Sequence, residues 1–200
     1  DLEKEPIEVA PTFHFVMGGI RVDENWQSRV PGLFAVGEVA AGVHGANRLS
    51  QNSLADIVVS GAIAGRSAAA HASGACFLGI DPAEIAALCR KVEKIAERAP
   101  TRPLRLAALK ETLQTFMWDK VSFRRSEKGL TEALDEVRRL REEALPCLRL
   151  TTRSKRFNRE LFEVLEMENL LTFAELVIRS AQMRKDCLLY TSPSPRDRTR

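Results

Sequence analysis

The segment HGANRLSQNSL, from His44 to Leu54, constrains this chain more than any other stretch. It sets polar side chains between apolar, glycine-rich flanks, which is the wrong composition for an ordinary core segment. Arg48 offers a planar set of donors that suits a carboxylate. Asn52 or Ser53 is predicted to cap the apolar helix that follows, so that free backbone N–H groups point back toward Arg48. An arginine beside a helix N-terminus favours the binding of an anion.

A purely structural explanation of the same residues stands beside the anion site. In that explanation Arg48 closes a buried ion pair, and Asn52 and Ser53 do no more than cap a helix. Spacing alone does not decide between the two. His44 is assigned a structural role in preference to a ligand contact, although its ring can change protonation near neutral pH.

The composition predicts a globular chain and argues against several function classes. Two hundred residues with 44% hydrophobic content can bury a core, and no apolar run is long enough to cross a bilayer. The net charge of +3 makes no case for nucleic acid, and the basic run at 149–159 is interpreted as a solvated face or a protein contact. The four cysteines are far apart, which favours free thiols in a reducing compartment.

The first eighty residues are predicted to form strands and one packing helix. Residues 11–23 show two strand-like runs around Gly18 and Gly19, a pattern of hairpin type. Residues 30–36 are predicted to be a buried strand that ends before Gly37 and Glu38. A helix rich in small residues follows at 54–72.

The remainder is predicted to be helical. Residues 74–81 are the expected linker, and Asp81, Pro82 and Glu84 predict a strong helix start, with the helix running to about Ala99. Further helices are predicted at 101–117, before Pro146, and at the end of the chain. Their apolar stripes predict a bundle core; the stripe residues are Leu106, Leu109, Leu113, Phe116, Met117, Leu130, Ala133, Leu134, Val137, Leu140, Leu161, Val164, Leu165, Phe173, Ala174, Val177 and Ala181.

The two ends of the chain suggest a piece of a longer protein. Residues 187–200, CLLYTSPSPRDRTR, resemble a translated sequencing adapter and are left out of the fold argument. No G-x-G-x-x-G fingerprint of a dinucleotide-binding fold occurs in the sequence. We therefore expect an internal fragment, in which residues from 186 onward are not interpreted.

Three segments carry a resemblance to a known family. PTFHFVMGGIRVD at 11–23, VPGLFAVGEVAAGVHGANRLSQNSLAD at 30–56 and VVSGAIAG at 58–65 resemble the flavoprotein subunit of succinate dehydrogenase and fumarate reductase, a superfamily that includes L-aspartate oxidase. AELVIRSAQMRKD at 174–186 resembles the family's C-terminal domain. The resemblance implies an α/β FAD-binding domain fragment at 1–73, a linker at 74–81 and an all-α helical bundle at 82–186.

The resemblance also implies a site. His14 and Arg48 would bind a dicarboxylate substrate, and no metal is implied. FAD would be held by Gly37, Glu38, Asn52, Ser53 and Leu54, with Glu38 at the ribose and the helix start at the flavin ring. The catalytic arginine of the family would lie before residue 1, so that no catalytic residue is assigned within this chain.

The function implied for the complete protein is interconversion of succinate and fumarate by hydride transfer at flavin N5. Electrons would pass to an iron–sulfur subunit, then through it to a membrane anchor, with the chain cytoplasmic and peripheral on the inner face of the membrane. L-aspartate oxidase is the first alternative, and Asp56 argues modestly against it because those oxidases tend to have Glu there. A non-catalytic helical interaction module is the second, and the retained His14, Glu38 and Arg48 argue against it.

Overall fold

A computed structural model describes residues 4–6, 13–45, 47–76, 79–154 and 156–184. The chain divides into two compact units, with the division between Gly79 and Ile80. The first unit contains a small sheet and one long helix, and the second is helical. This is the α/β fragment followed by a helical bundle that the sequence predicted. The adapter-like stretch at 187–200 and residues 11, 12, 46, 185 and 186 of the resembling segments lie outside the described residues.

The sheet of the first unit is a short parallel pair. Strand β1, Ile20–Arg21, lies beside β2, Ala40–Ala41, in the register Ile20↔Ala40. The predicted hairpin around the two glycines is therefore wrong, because β1 takes its partner from a segment twenty residues later. Gly19 approaches the second segment so closely that a Cβ there would overlap the carbonyl oxygen of Val39. This close approach explains why a glycine stands before β1.

The predicted buried strand at 30–36 is also wrong. Val30 is 59% exposed, and the described pairing of the segment is one isolated bridge between Phe34 and Gln27. Gly32 turns the chain with φ +81, and the N–H of Leu33 bonds to the carbonyl of Val30. Local turns satisfy the backbone here, so an apolar composition does not require a strand.

The packing helix α1 spans Asn52–Gly74, which confirms the predicted helix and extends it by two residues at each end. The predicted capping by Asn52 or Ser53 is wrong. The N-cap residue is Gln51, whose backbone is left-handed (φ 65) and whose side chain makes no capping hydrogen bond. A bulky residue in this conformation stores about 1–2 kcal/mol of strain.

The second unit consists of four α-helices joined by short irregular turns. Helix α2, Pro82–Ala96, begins as predicted: the Asp81 side chain accepts a hydrogen bond from the Ala83 N–H, and Pro82 occupies the first turn. It ends three residues before the expected position. The other bounds are α3, Leu106–Phe116, α4, Glu127–Arg139, and α5, Arg159–Met183, with π-helical turns at Met117–Val121 and Leu140–Ala144 and a 3-10 turn at Leu145–Cys147.

The core of the second unit confirms most of the predicted stripes. α5 packs against α4, α3 and α2, and it supplies Met167, Leu171 and Ile178 with no exposed surface. Phe173 is predicted to face the core, but it is 50% exposed. Apolar residues occur on all sides of α5, so the sequence pattern does not show which side is buried. The confirmed stripe residues are Leu106, Leu109, Leu113, Phe116, Leu130, Ala133, Leu134, Val137, Leu140, Leu161, Val164 and Ala174.

Ion pairs tie α5 to its neighbours. The Arg141 guanidinium lies 2.6 Å from Glu175, which also pairs with Arg179 one turn further along α5. Hydrogen bonds from Arg141 first, and then from Arg179, hold the pKa of Glu175 below its ordinary value. Glu163 likewise has a lowered pKa because it accepts hydrogen bonds from Lys110 and Arg159. These two carboxylates of α5 therefore stay ionised into the acid range.

The loop before α5 is built around one buried amide. The Asn158 side chain accepts from the Leu161 N–H and donates to the carbonyls of Thr152 and Ser154. This arrangement caps α5 and fixes the loop that carries most of the basic run. The described arginines of that run, Arg149, Arg153, Arg156 and Arg159, are exposed, and Lys155 lies outside the described residues. Among the described residues, no helix is long and apolar enough to cross a membrane.

Candidate functional site

Four side chains of the first unit form a continuous stack, which we call the Arg48 cluster: Asp56, His44, Phe15 and Arg48. The Arg48 guanidinium carbon lies 4.6 Å from the centroid of the Phe15 ring. The edge of the His44 ring meets the same ring, with centroids 5.4 Å apart and planes at 79°. His44 Nε2 in turn lies 3.3 Å from Asp56 Oδ2. The stack therefore connects the first turns of α1 to the arginine singled out from the sequence.

The His44–Asp56 pair forms the buried end of the cluster. Both side chains are 4% exposed, and the contact between them lacks hydrogen-bond geometry. Asp56 lies one turn before Ser60, whose hydroxyl donates to the Asp56 carbonyl. Asp56 and Ser60 belong to the narrow buried stripe of α1. The structural role predicted for His44 agrees with this position.

Arg48 is held by its surroundings and not by a carboxylate. Its Nη1 donates to the carbonyl of Leu49 at 3.3 Å, and its Nε is buried with no hydrogen-bond partner. Among the described residues, no ion pair with Arg48 is present, so the structural explanation by a buried ion pair finds no support there. An unpaired buried donor costs about 1–3 kcal/mol unless something accepts from it. The position suits an anionic ligand.

The chain reaches Arg48 through a glycine-dependent turn. Gly42 and Gly45, between β2 and α1, have φ values of +112 and +59, and no atom lies within 4 Å of a Cβ placed on either. Such conformations are costly for other residues. The two glycines fold the chain back so that His44 and Arg48 both contact Phe15.

His14 precedes the ring at the centre of the cluster. It is exposed and lies in an irregular segment before β1. Its neighbour Phe15 contacts Arg48, so the two residues predicted to bind substrate belong to adjoining segments. Among the described residues, however, no hydrogen bond or ion pair joins His14 to Arg48.

Gly37 and Glu38 occupy a 3-10 turn, Gly37–Val39, that packs against α1. Gly37 has φ +68, and a Cβ there would lie 2.8 Å from a methyl carbon of Ile57, so both the backbone and the packing favour glycine. Glu38 is exposed, and its Oε1 accepts a hydrogen bond of 2.9 Å from the Val16 N–H. The carboxylate thus anchors the segment that contains His14, while its second oxygen faces no partner among the described residues.

The three predicted cofactor residues at the start of α1 remain accessible. Asn52 is exposed, Ser53 is half-buried and the Leu54 side chain is 66% exposed. The Asn52 N–H bonds to Leu49 and the Leu54 N–H to Gln51. With no side-chain cap, this helix end keeps its positive electrostatic potential close to the cluster.

Phe15 and Asp56 belong to the site but are not singled out by sequence reasoning. Phe15 reads as part of an apolar strand, and Asp56 enters only as a difference between families. The spacing from Asp56 to Ser60 and Ala64 repeats every four residues, so the buried stripe could have been found from small residues. The contact of Phe15 with Arg48 depends on the turn at residues 42–45 and has no local sequence signal.

The cluster and the helix end fit the kind of ligand that the sequence predicted. A buried guanidinium nitrogen without an acceptor fits a carboxylate. An uncapped helix start fits a group that becomes anionic, as a reduced flavin does.

Comparison with known proteins identifies the class first. Residues 1–54 match the model of an FAD binding domain, and residues 110–188 match that of the fumarate reductase flavoprotein C-terminus. Together these matches define a flavoprotein of the FAD-dependent oxidoreductases.

The similar proteins identify the family. A flavoprotein-family relative from Methanothermobacter marburgensis, named as part of a fumarate reductase (CoM/CoB), is 39% identical over 93% of this chain and 33% of its own length. The fumarate reductase flavoprotein subunit of Escherichia coli is 35% identical over 93% and 31%. A chain of the Mycobacterium smegmatis Sdh1 complex in the apo form superposes with a TM-score of 0.86 at 34% identity, over 94% of this chain and 31% of that one. The chain belongs to the family of fumarate reductase and succinate dehydrogenase flavoprotein subunits, and it spans about a third of the length of the relatives it matches.

Proposed function

We propose that the complete protein to which this chain corresponds interconverts succinate and fumarate with FAD. The observation that carries the proposal is the Arg48 cluster: a guanidinium with a buried, unpaired Nε lies between an aromatic face and the uncapped start of a helix. A fixed cation is what a dicarboxylate needs in order to be held in place and to lose electron density during the reaction. Family membership supports the proposal from an independent direction.

The chain's own residues divide the binding task. Arg48 binds one carboxylate of the substrate, with its Nε gaining the acceptor that it lacks. His14 contacts a carboxylate from the adjoining segment, which Glu38 holds through the Val16 N–H. His44 stays inside the fold, paired with Asp56, and does not touch the substrate.

The cofactor residues are accessible in the same unit. The free oxygen of Glu38 accepts from a ribose hydroxyl, and Gly37 lets the turn that carries Glu38 pack against α1. Asn52, Ser53 and Leu54 present the helix start to the flavin ring. FAD, when bound, supplies the two-electron chemistry, with hydride exchange at N5. The helix potential at this end stabilises negative charge on the reduced ring.

The partners and the domain limits complete the proposal. Residues 1–73 form part of the FAD-binding domain, 74–81 are the linker and 82–186 form the helical domain. Electrons pass to an iron–sulfur subunit, which connects the protein to a membrane anchor on the inner face of the membrane. The similar structures include a Quinol-Fumarate Reductase with menaquinol molecules, which supports such an assembly. The exposed basic run is a protein-facing surface, and no nucleic acid takes part.

The test uses the complete reading frame, expressed with any adjacent iron–sulfur gene, and an artificial electron carrier. We expect succinate oxidation and fumarate reduction, and we expect Arg48→Gln to lower the catalytic efficiency by about 100-fold or more, the cost of removing one preorganised charged donor. Oxidation of L-aspartate with release of hydrogen peroxide, and no turnover of succinate or fumarate, would replace the proposal by L-aspartate oxidase. A protein without FAD and without either activity would refute it in favour of an interaction module.

A further inference from the structure

We infer that Phe15 is a positioning residue that fixes the guanidinium of Arg48 for the substrate carboxylate, and that Asp56 and His44 hold Phe15 in place. The inference rests on the proposed function for its consequence in catalysis. Its geometry stands independently, on the three contacts of the Arg48 cluster.

The first step concerns what orients Arg48. Its polar contact is a single bond to the carbonyl of Leu49, the next residue in the chain, and one bond of this kind leaves the guanidinium free to rotate. The Phe15 ring lies 4.6 Å from the guanidinium carbon, within the range of a cation–π contact. A flat aromatic face below a planar cation leaves the donor edge open, and a planar fork of donors is what a carboxylate requires. The ring therefore supplies an orientation that no ion pair provides among the described residues.

The second step concerns what orients Phe15. The ring lies in an irregular segment before β1, so no helix or sheet ladder fixes it. The edge of the His44 ring meets it at 79°, a favoured aromatic arrangement. His44 is itself buried against Asp56 on α1. The orientation of Arg48 is thus referred back to a long helix, which is the most regular element of the first unit.

The contact predicts a defined kinetic effect. Phe15→Leu keeps an apolar side chain of similar size but removes the aromatic face. We expect the KM for the dicarboxylate to rise about tenfold, which corresponds to a partly desolvated cation–π contact. Phe15→Tyr keeps the face and should restore the KM to within about twofold of the parent value. Phe162→Leu makes the same change at a residue of α5 that is 64% exposed, and it should leave KM and kcat unaltered.

A spectroscopic measurement tests the geometry without turnover. In this chain the side-chain protons of Arg48, assigned by their loss in Arg48→Lys, should show a ring-current shift to high field relative to an exposed arginine such as Arg153. Phe15→Leu should abolish the shift and Phe15→Tyr should retain it. Asp56→Asn should reduce it, because it loosens the support of His44.

The outcomes separate this inference from the proposed function. An unshifted Arg48 in the unsubstituted chain would overturn the inference whatever the enzyme does. A parent enzyme that is active, with the KM of Phe15→Leu and Phe15→Tyr equal, would also overturn it and leave the proposed function intact. A shifted Arg48 together with a parent protein that turns over neither succinate nor fumarate would support the positioning role and refute the proposed function.

Discussion

Replacing Leu171 by alanine should destabilise the second unit far more than the same change at its neighbour Leu170. Leu171 has no exposed surface, whereas Leu170 is 41% exposed, and both lie in the middle of α5. Leucine and alanine have similar helix propensities, so the difference between the variants reports burial. The pair therefore tests which side of α5 the core occupies.

The magnitude follows from the atoms removed. Truncation deletes three carbons, worth roughly 2.4 kcal/mol at about 0.8 kcal/mol per buried carbon. At Leu171 the cavity adds to this, for a total of about 3–4 kcal/mol within the usual range for buried leucines. At Leu170 about 59% of the transfer free energy applies, roughly 1.4 kcal/mol at most, because solvent fills the space.

Urea unfolding followed by circular dichroism at 222 nm measures the difference. With an m value of about 1.5 kcal/mol per molar, the midpoint should fall by about 2 M for Leu171→Ala and by about 1 M or less for Leu170→Ala. Equal midpoints for the two variants would show that the core does not lie on the Leu171 side, and the assignment of faces on α5 would have to be abandoned.

Two further perturbations test the sheet and the ion pairs. Gly19→Ala should destabilise the first unit by about 1–3 kcal/mol, because its Cβ would overlap the Val39 carbonyl oxygen, while Gly18→Ala, with no atom within 4 Å of its Cβ, should be tolerated; thermal unfolding of both variants would show equal losses if β1 and β2 were not paired. Glu175 has a folded pKa below its ordinary value of 4.5, so the pairing with Arg141 stabilises the protein above that pH and is lost as the pH falls through the folded value. Urea midpoints between pH 5 and pH 2 should therefore depend less on pH in Glu175→Gln, and an unchanged dependence would contradict the pairing.

The sequence predicted the helices better than the strands, and the reason is physical. Helix α2 begins where Asp81 and Pro82 indicate, because a helix start is decided by neighbouring residues. The strand at 30–36 was wrong because an apolar run can be satisfied by local turns when no partner strand lies beside it. The pairing of β1 with β2 joins residues twenty positions apart, and no local signal encodes it.

The site shows the same division. Arg48 and the start of α1 could be found from residue type and spacing, and the family resemblance is confirmed by the matches to the FAD-binding and C-terminal models. The capping residue could not be found, since Gln51 enters the helix through a left-handed conformation that its residue type does not favour. Phe15 could not be found either, because its contact with Arg48 exists only after the chain has turned back through Gly42 and Gly45.

The short parallel pair has a consequence for how this family can vary in length. Successive residues of an extended segment point to opposite sides, so one residue added between Phe15 and Ile20 would carry the aromatic ring away from Arg48 while β1 stayed in place. Residues added in the connection between β1 and β2 would not change which side Phe15 faces. Insertions and deletions should therefore accumulate between Arg21 and Ala40 in functional relatives, and the count of residues from Phe15 to Ile20 should stay fixed.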